Sequence, residues 1–238
     1  MKEENTKFSY YFDFMKKSPH FSGLRDEVIV EMLNNFHIET WKKRGVPFDN
    51  QKTKKNLYLI IKGRVKVSQI NKNTGNEYII EILDSGNIFD VICLLDGQEH
   101  QVFTEALDEV EALVAPMDLV KQWISKHPEF NKTLLPYLGE QLRFFEESAT
   151  DLALLNTWSR TVKLFTSHIT NTKHHSSSLK LINNLSHTEL ANMIGSARNV
   201  LNRHLQKLKD ENIIKIDRNH IKIKDTEALL NKFKAGNN

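Results

Sequence analysis

The sequence predicts an α+β fold in which an antiparallel β domain is followed by a long helix and a winged helix-turn-helix. Three observations support this prediction. Short apolar or alternating segments, separated by turns, fill the region from Phe36 to about Pro116. A leucine-rich repeat of heptad type follows Pro128. Near the C-terminus, two helical patterns joined at Gly195 precede a short pair of alternating segments.

The first half of the chain combines short helices with closely spaced strands. Apolar residues recur at helical spacing in two segments, which contain Tyr10, Phe14 and Met15 and then Val28, Ile29, Met32 and Leu33. The predicted strands are Leu57–Ile61, Gly63–Ser68, Tyr78–Leu83, Val102–Leu107 and Val110–Val114. Strands separated by turns at this density are typical of an antiparallel barrel or sandwich.

The leucine-rich repeat predicts a long helix with one narrow apolar stripe. Its apolar residues are spaced alternately by three and four positions: Leu135, Leu138, Leu142, Phe145, Ala149 and Leu152. So narrow a stripe fits a seam between two helices better than the wide face of a core helix, so we favour a parallel dimer. The alternative is a helix that lies on its own domain. Pro136 is expected in the first turn of this helix or at a kink near its start, so the continuous helix should begin near it. Asn156–Thr157 is a predicted hinge.

The segment after Leu185 has the pattern of a helix-turn-helix. Ser186 followed by Glu189 three residues later predicts a capping box at the start of the first helix. Gly195 supplies the turn, and the second helix has a buried stripe made of Leu201, Leu205 and Leu208. Alternating residues from Ile213 to Lys224 then predict a two-stranded wing.

The predicted exposed face of this motif carries side chains suited to double-stranded DNA. Arginine pairs with guanine and asparagine with adenine in the major groove, and short hydroxyl and basic groups contact phosphates. The candidate base-reading residues are Arg198, Asn199, Asn202 and Arg203. The candidate phosphate-positioning residues are Ser186, His187, Thr188, Ser196, Ala197 (through its backbone N–H) and Arg218 at the tip of the wing.

The distribution of charge supports an anionic partner for the C-terminal part. Residues 1–150 carry 19 basic and 23 acidic side chains, a formal balance of −4, whereas residues 151–238 carry 14 basic and 7 acidic ones, a balance of +7. A basic segment next to an acidic one suggests two domains with different partners, the basic one facing nucleic acid.

Composition excludes several other classes of protein. With only one cysteine, Cys93, the chain has neither an intramolecular disulfide nor the four thiolates of an iron–sulfur cluster, and we expect no cofactor. His174 and His175 lie in a polar loop without other ligands at suitable spacing, so no metal site is expected. The sequence shows neither a secretory signal nor an apolar run of about 20 residues, and we therefore expect a cytoplasmic protein without membrane contact.

Nearly the whole chain resembles the Crp/Fnr family of bacterial transcription regulators. The resemblance is strongest in the segment from Gly195 to Arg203 and is visible also in Leu57–Val67 and Gly86–Phe89. It implies a cyclic-nucleotide-binding-like β-roll (a jelly-roll) over 1–128, a dimerisation helix over 129–156 and a winged helix-turn-helix over 157–238. It also implies a homodimer on near-palindromic DNA, with RNA polymerase as a further partner and no enzymatic activity.

The family pattern is altered at two places. Asn199 occupies the position at which the family commonly has an acidic residue, which implies a different preferred half-site. Alignment through Gly86–Phe89 also places a candidate effector pocket at Phe89, Asp90, Val91, Ile92, His100 and Gln101. Val91 cannot accept hydrogen bonds from a ribose, and His100 replaces the arginine that would pair with a cyclic phosphate. We therefore expect a regulator that cyclic AMP does not control.

Two alternatives remain open. In the first, the same fold is a cyclic-nucleotide-responsive regulator. In the second, more distant one, the β domain is a cupin-type enzyme, but its strands offer only His37 and His100 as histidine ligands.

Overall fold

The computed structural model describes residues 2–48, 54–170, 181–217 and 220–235 of the chain. The helices are α1 (Lys2–Lys17), α2 (Asp26–Leu33), α3 (Val91–Asp96), α4 (Met117–Lys126), α5 (Pro128–Leu154), α6 (Thr157–Thr170), α7 (His187–Met193), α8 (Arg198–Asp210) and α9 (Thr226–Ala235). The strands are β1 (His37–Trp41), β2 (Asn56–Lys62), β3 (Val65–Ile70), β4 (Glu77–Leu83), β5 (Ile88–Phe89), β6 (Phe103–Ala106), β7 (Val110–Pro116), β8 (Ile214–Asp217) and β9 (His220–Ile223).

The chain divides into two compact units. Unit 1 contains residues 1–65 and 83–145, and unit 2 contains residues 66–82 and 146–238. The hairpin of β3 and β4 is therefore grouped for the most part with the C-terminal elements rather than with the rest of the β domain. Within the described parts of both units, no helix combines the length and the apolar composition that crossing a bilayer requires.

Unit 1 is built on an antiparallel four-stranded sheet with the strand order β1-β7-β2-β5. Trp41 is opposite Val110, and Tyr58 is opposite Phe89. All five residues from Leu57 to Ile61 in β2 are buried. This explains why the sequence of the strand is a continuous apolar run rather than an alternation of apolar and polar residues. Gly63, with a φ of +88°, follows this strand, and a Cβ there would collide with the carbonyl oxygen of Glu109.

Helices from both ends of unit 1 share one apolar core with the sheet. Its members include Met15, Ile29, Met32, Leu59, Leu113, Trp123, Phe130 and Leu134. Tyr137 of α5 joins this core to the sheet, because its hydroxyl donates to the carbonyl oxygen of Ile88 (3.1 Å) and accepts from the Ile88 N–H (3.2 Å). The start of α5 is therefore held by unit 1.

The start of the long helix that was predicted from Pro136 is wrong. Helix α5 begins at Pro128, and Pro136 lies inside it. Pro128 fits the first turn, where its missing N–H has no helical partner in any case. The helix continues through Pro136 because Leu134, Tyr137 and Leu138 on either side of it are buried, and their burial offsets the one lost hydrogen bond.

The C-terminal part of unit 2 contains the predicted helix-turn-helix and two-stranded wing. Helices α6, α7 and α8 are followed by the antiparallel hairpin of β8 and β9, in which Ile214 pairs with Ile223. The predicted hinge is the short link between α5 and α6, where Asn156 Oδ1 accepts from the Ser159 N–H (2.9 Å) and so caps α6. Helices α3, α4 and α9 were not predicted, because their apolar patterns are short.

Candidate DNA-binding site

The first helix of the helix-turn-helix, α7, begins with the predicted capping box. Ser186 Oγ accepts from the Glu189 N–H (3.2 Å), and the Glu189 carboxylate accepts from the Ser186 N–H (2.6 Å). Both N–H groups would otherwise lack a partner at the start of the helix. Leu190 and Ala191 are buried behind this cap, so the side chains of Ser186 and Thr188 stay on the exposed side.

The turn between α7 and α8 depends on Gly195. Its φ is +58°, and the next residue, Ser196, donates its N–H to the carbonyl oxygen of Ala191 (2.9 Å). A Cβ at Gly195 would lie 2.9 Å from Leu152 Cδ2 and 3.8 Å from the ring of Tyr78. The turn is therefore close-packed as well as left-handed, which explains why a glycine stands there.

The second helix, α8, presents its polar residues on the side opposite its buried stripe. Leu201, Leu205 and Leu208 are all at most 1% exposed. Arg198, Asn199 and Arg203 are exposed, so the structure brings together three of the four predicted base-reading side chains.

Asn202, the fourth predicted base-reading residue, is engaged within the protein. It is half-buried, and its Oδ1 lies 2.7 Å from His187 Nδ1. The pair links α8 to the first residue of α7. Sequence spacing alone could not reveal this contact, because the two residues are fifteen positions apart across a turn.

Two further predicted phosphate-positioning residues lie in the turn before α8. Ser196 is half-buried, and Ala197 is exposed at the N-cap of α8, where its own side chain caps no N–H group. Asn199 Oδ1 instead accepts from the Val200 N–H (2.8 Å). In the wing, Lys215 and Lys222 pair across the hairpin and are exposed, whereas Ile214 and Ile221 are buried on its other face. Arg218 lies outside the described residues.

Two residues that no sequence motif marks hold the helix-turn-helix in place. Arg160 Nη1 donates to the carbonyl oxygen of Leu152 (3.0 Å), and its Nη2 donates to the carbonyl oxygen of Gly195 (3.4 Å), so this side chain ties the turn to the end of α5. Asn192 Nδ2 donates to the carboxylate of Glu77 in β4 (2.9 Å). No periodic pattern in the sequence marks such long-range contacts.

His204 serves a structural purpose in the same motif. Thr161 donates its hydroxyl hydrogen to the carbonyl oxygen of Thr157 (2.7 Å), so Thr161 Oγ1 accepts from His204 Nδ1 (2.9 Å). Burial lowers the pKa of His204, and the positive charges of Arg203 and Lys207 lower it further. The neutral ring therefore joins α8 to α6.

The residues of the predicted dimer seam lie on α5, but they differ in how exposed they are. Leu135 is 63% exposed and Leu142 is 69% exposed, and Ala149 and Leu152 are exposed as well. Phe145 is half-buried. Leu138 departs from the expectation, because it is 9% exposed and belongs to the core of unit 1.

The candidate effector pocket is occupied by side chains that contact one another. Asp90 is 1% exposed, and its carboxylate accepts from Cys93 Sγ (3.0 Å) and lies 3.1 Å from His100 Nδ1. The ring of Phe89 stacks on Phe48 at 4.6 Å. Burial, together with Asp90, raises the pKa of the Cys93 thiol to about 12.

The remaining residues of the candidate effector pocket differ in their exposure to solvent. Val91 is half-buried, whereas Ile92 and Gln101 are exposed. Among the side chains that the structure describes, no three His, Cys, Asp or Glu groups are arranged to hold a metal ion.

Two family models match the chain, and together they cover most of it. Residues 39–127 match the cyclic nucleotide-binding domain, and residues 159–232 match the Crp-like helix-turn-helix domain. The chain belongs to the Crp/Fnr family of transcription regulators. The predicted family and the predicted class of fold are confirmed, and the protein is a DNA-binding transcription regulator of this type.

Relatives and solved structures resemble the chain over nearly its whole length. A CRP-like cAMP-activated global transcriptional regulator of Mycobacterium tuberculosis is 22% identical over 219 residues, which are 91% of this chain and 97% of the relative. A global nitrogen regulator of Synechocystis is 27% identical over 199 residues, 82% of this chain and 88% of the relative. The structure of a CooA mutant from Carboxydothermus hydrogenoformans superimposes with a TM-score of 0.69 at 18% identity, covering 84% of this chain and 89% of that one.

Proposed function

We propose that this Crp/Fnr regulator is a homodimer that binds near-palindromic DNA sites and is not controlled by cyclic AMP. In a dimer, one recognition helix α8 per subunit enters each of two successive major grooves, roughly 34 Å apart. RNA polymerase is its further partner, as the family membership suggests. The observation that carries this proposal is the exposed face of α8 with Arg198, Asn199 and Arg203.

The apolar surface of α5 supports the homodimer. Leu135 and Leu142 lie two helical turns apart and are each more than 60% exposed. Burying such side chains contributes about 1.5–3 kcal/mol each relative to leaving them in water. The same stripe on a second copy is the complementary surface, because a twofold axis pairs each patch with itself.

A charged residue in the stripe tests the dimer directly. Leu142→Glu should convert the dimer to a monomer in sedimentation experiments, because it places a carboxylate in an apolar seam. Leu154→Glu is the matched control, since Leu154 is 78% exposed and lies outside the stripe. A monomeric wild-type protein, or a dimer that is insensitive to Leu142→Glu, contradicts the proposal.

Base reading by α8 makes a separate prediction. A duplex selected from random sequences should bind Arg198→Ala more weakly by about 1–3 kcal/mol than wild type, with relaxed preference at one base pair. Arg198→Lys is the control that keeps the charge but loses the bidentate geometry, so it should retain nonspecific binding and lose discrimination. Equal discrimination by wild type and Arg198→Lys would refute base reading by this residue.

The surroundings of Asp90 support the absence of control by cyclic AMP. This buried carboxylate lies in the segment where the family places its ligand, and it would repel a cyclic phosphate. Its pairing with His100 engages the one basic side chain among the candidate pocket residues.

Control by cyclic AMP is the second candidate function. It is favoured by the match to the cyclic nucleotide-binding domain and by the name of the mycobacterial relative, which is cAMP-activated. Calorimetric titration with cyclic AMP and cyclic GMP separates the candidates. Binding tighter than ~10 μM, about −7 kcal/mol, would overturn our reading of Val91 and His100.

A further inference from the structure

We propose that Glu77 of the β3–β4 hairpin is a positioning residue for DNA binding, because it holds the helix-turn-helix in one orientation through Asn192. This role rests on the proposed function, since it concerns how a homodimer recognises the distance between two half-sites. Glu77 acts through Asn192 and not by touching DNA. The preference for one half-site spacing thereby depends on a contact outside the recognition helix α8.

The contact between the two side chains has only one possible polarity. Asn192 Nδ2 lies 2.9 Å from Glu77 Oε2, and Lys66 Nζ lies 3.0 Å from Glu77 Oε1. Burial raises the pKa of Glu77, but hydrogen-bonded and charged neighbours that include Lys66 and Asn192 outweigh burial and hold this pKa below its usual value. The carboxylate is therefore ionised at neutral pH and can only accept hydrogen bonds, so the amide NH₂ of Asn192 is the donor.

The position of Glu77 is itself fixed by its ion pair with Lys66. The side chain of Lys66 is 10% exposed and that of Glu77 is 20% exposed, so little water competes for the two charges. The two residues lie on the neighbouring strands β3 and β4. Because hydrogen bonds to an ionised acceptor are stronger than those between neutral groups, the hairpin offers α7 a firm anchoring point.

Two further contacts hold the same part of the motif. A Cβ at Gly195 would lie 3.8 Å from the ring of Tyr78, the residue that follows Glu77 in β4, and 2.9 Å from Leu152 Cδ2. Arg160 donates to the carbonyl oxygens of Gly195 (3.4 Å) and Leu152 (3.0 Å). Leu152 is also the last residue of the predicted dimer seam. The turn between α7 and α8 is therefore tied both to the hairpin and to the end of the helix that carries the seam.

These contacts leave the predicted DNA-binding face of the motif accessible. Arg198, Asn199 and Arg203 of α8 are exposed, whereas Asn192 of α7 is half-buried. The hairpin thus supports the motif without covering the recognition helix, and it acts as a brace and not as an inhibitor. Helix α6 follows α5 after residues 155–156, and rotation about the backbone dihedrals of this short link would let the motif turn once the brace is lost.

A fixed orientation matters when two motifs bind one duplex. Inserting one base pair between the half-sites moves them about 3.4 Å further apart and rotates one relative to the other by roughly 35°. A braced motif can follow this rotation only by giving up its contact with Glu77, whereas a released motif follows it without that cost. Losing one hydrogen bond to a charged group corresponds to about tenfold in affinity. The brace therefore sharpens the preference for one spacing and leaves binding to a single half-site unchanged.

The spacing preference of Asn192→Asp tests the brace. This substitution keeps the size of the side chain but places a second carboxylate against Glu77, which breaks the contact. The measured quantity is the ratio of the affinity for the selected operator to the affinity for the same operator with one base pair inserted between its half-sites. The ratio should be about tenfold lower in Asn192→Asp than in wild type. A ratio equal to that of wild type overturns the proposal.

Asn184→Asp is the matched control for the added charge. Asn184 is exposed and lies two positions before Ser186, so the control carries the same negative charge next to α7. It should weaken binding to all duplexes by one factor and keep the ratio of wild type. The affinity of Asn192→Asp for a single half-site should equal that of this control. A control that lowers the ratio as much as Asn192→Asp overturns the proposal, because charge alone would then explain the effect.

Exchanging the two groups tests the pairing itself. In the double variant Glu77→Gln/Asn192→Asp, the amide and the carboxylate change places, the net charge is that of wild type, and an N–H group again faces a carboxylate. The double variant should recover at least about threefold of the lost ratio. A double variant with the ratio of Asn192→Asp overturns the assignment of Glu77.

A second single variant and the behaviour of wild type complete the test. Asn192→Ala removes the donor without adding a charge, so it should lower the same ratio even if Asn192→Asp does not fold. If wild type binds no duplex, or binds two half-sites no more tightly than one, the proposed function fails and the role of Glu77 fails with it. If wild type prefers one spacing and Asn192→Ala keeps that preference, the proposed function stands and only the role of Glu77 fails.

Discussion

The turn at Gly195 allows a quantitative prediction about the helix-turn-helix. The φ of this residue is +58°, in the left-handed region, where a side chain costs about 1–2 kcal/mol. Replacing glycine by alanine also restricts the unfolded chain, which offsets about 0.4–1 kcal/mol of this cost. Gly195→Ala should therefore lower the free energy of unfolding by about 1 kcal/mol, as measured by urea denaturation.

Two further variants separate the backbone from the packing. The new Cβ would lie 2.9 Å from Leu152 Cδ2, but this atom is the end of a flexible side chain and can move. Gly195→Asn brings the same Cβ, yet asparagine tolerates the left-handed region, so it should be more stable than Gly195→Ala. In a Leu152→Ala background, the contact is absent and the cost of Gly195→Ala should persist.

Two results would contradict this prediction. One is that Gly195→Ala is as stable as wild type, which would mean that the turn does not require a left-handed residue. The other is that the cost disappears in the Leu152→Ala background, which would attribute it to the contact with Leu152 alone. Both comparisons use the midpoints and slopes of the urea denaturation curves of the individual proteins.

Three other predictions concern stability and reactivity. Ser186→Ala should cost about 1 kcal/mol of unfolding free energy, whereas Ser186→Thr should keep the cap; equal losses would contradict the capping role. Arg64 pairs with Asp108 (Nη2–Oδ1, 3.0 Å) and lowers its pKa, so the stabilisation is present at neutral pH and lost as the pH falls through that pKa. Arg64→Met should therefore be less stable than wild type at pH 7, by a margin that narrows in acid; a constant margin across pH would count against the pairing. Because burial raises the pKa of Cys93 to about 12, iodoacetamide at pH 8 should alkylate the native protein far more slowly than the urea-unfolded one, and similar rates would contradict its burial.

Local patterns in the sequence predicted much of the fold. The capping box at Ser186, the left-handed turn at Gly195 and the buried stripe through Leu205 involve residues within a few positions of one another. Each of these features follows from backbone geometry and from the period of the helix. They are also the features that predicted the recognition helix.

Patterns could not predict the partners of long-range contacts. The heptad spacing placed Leu138 in a dimer seam, but the same spacing is compatible with packing on its own domain, as the structure has it. Asn202 lies on the helix face that the sequence predicted, yet its partner across the turn could not be foreseen. The contact between Asp90 and His100 likewise joins side chains ten positions apart.

Changing the spacing between the two half-sites of the operator shows whether the protein binds DNA as a twofold pair. If two copies of α8 bind successive major grooves of one duplex, inserting about five base pairs between the half-sites turns one groove to the opposite side of the DNA. Affinity for that duplex should fall to that of a single half-site. Unchanged affinity for the five-base-pair insertion would show that the protein does not read its site as a fixed twofold pair.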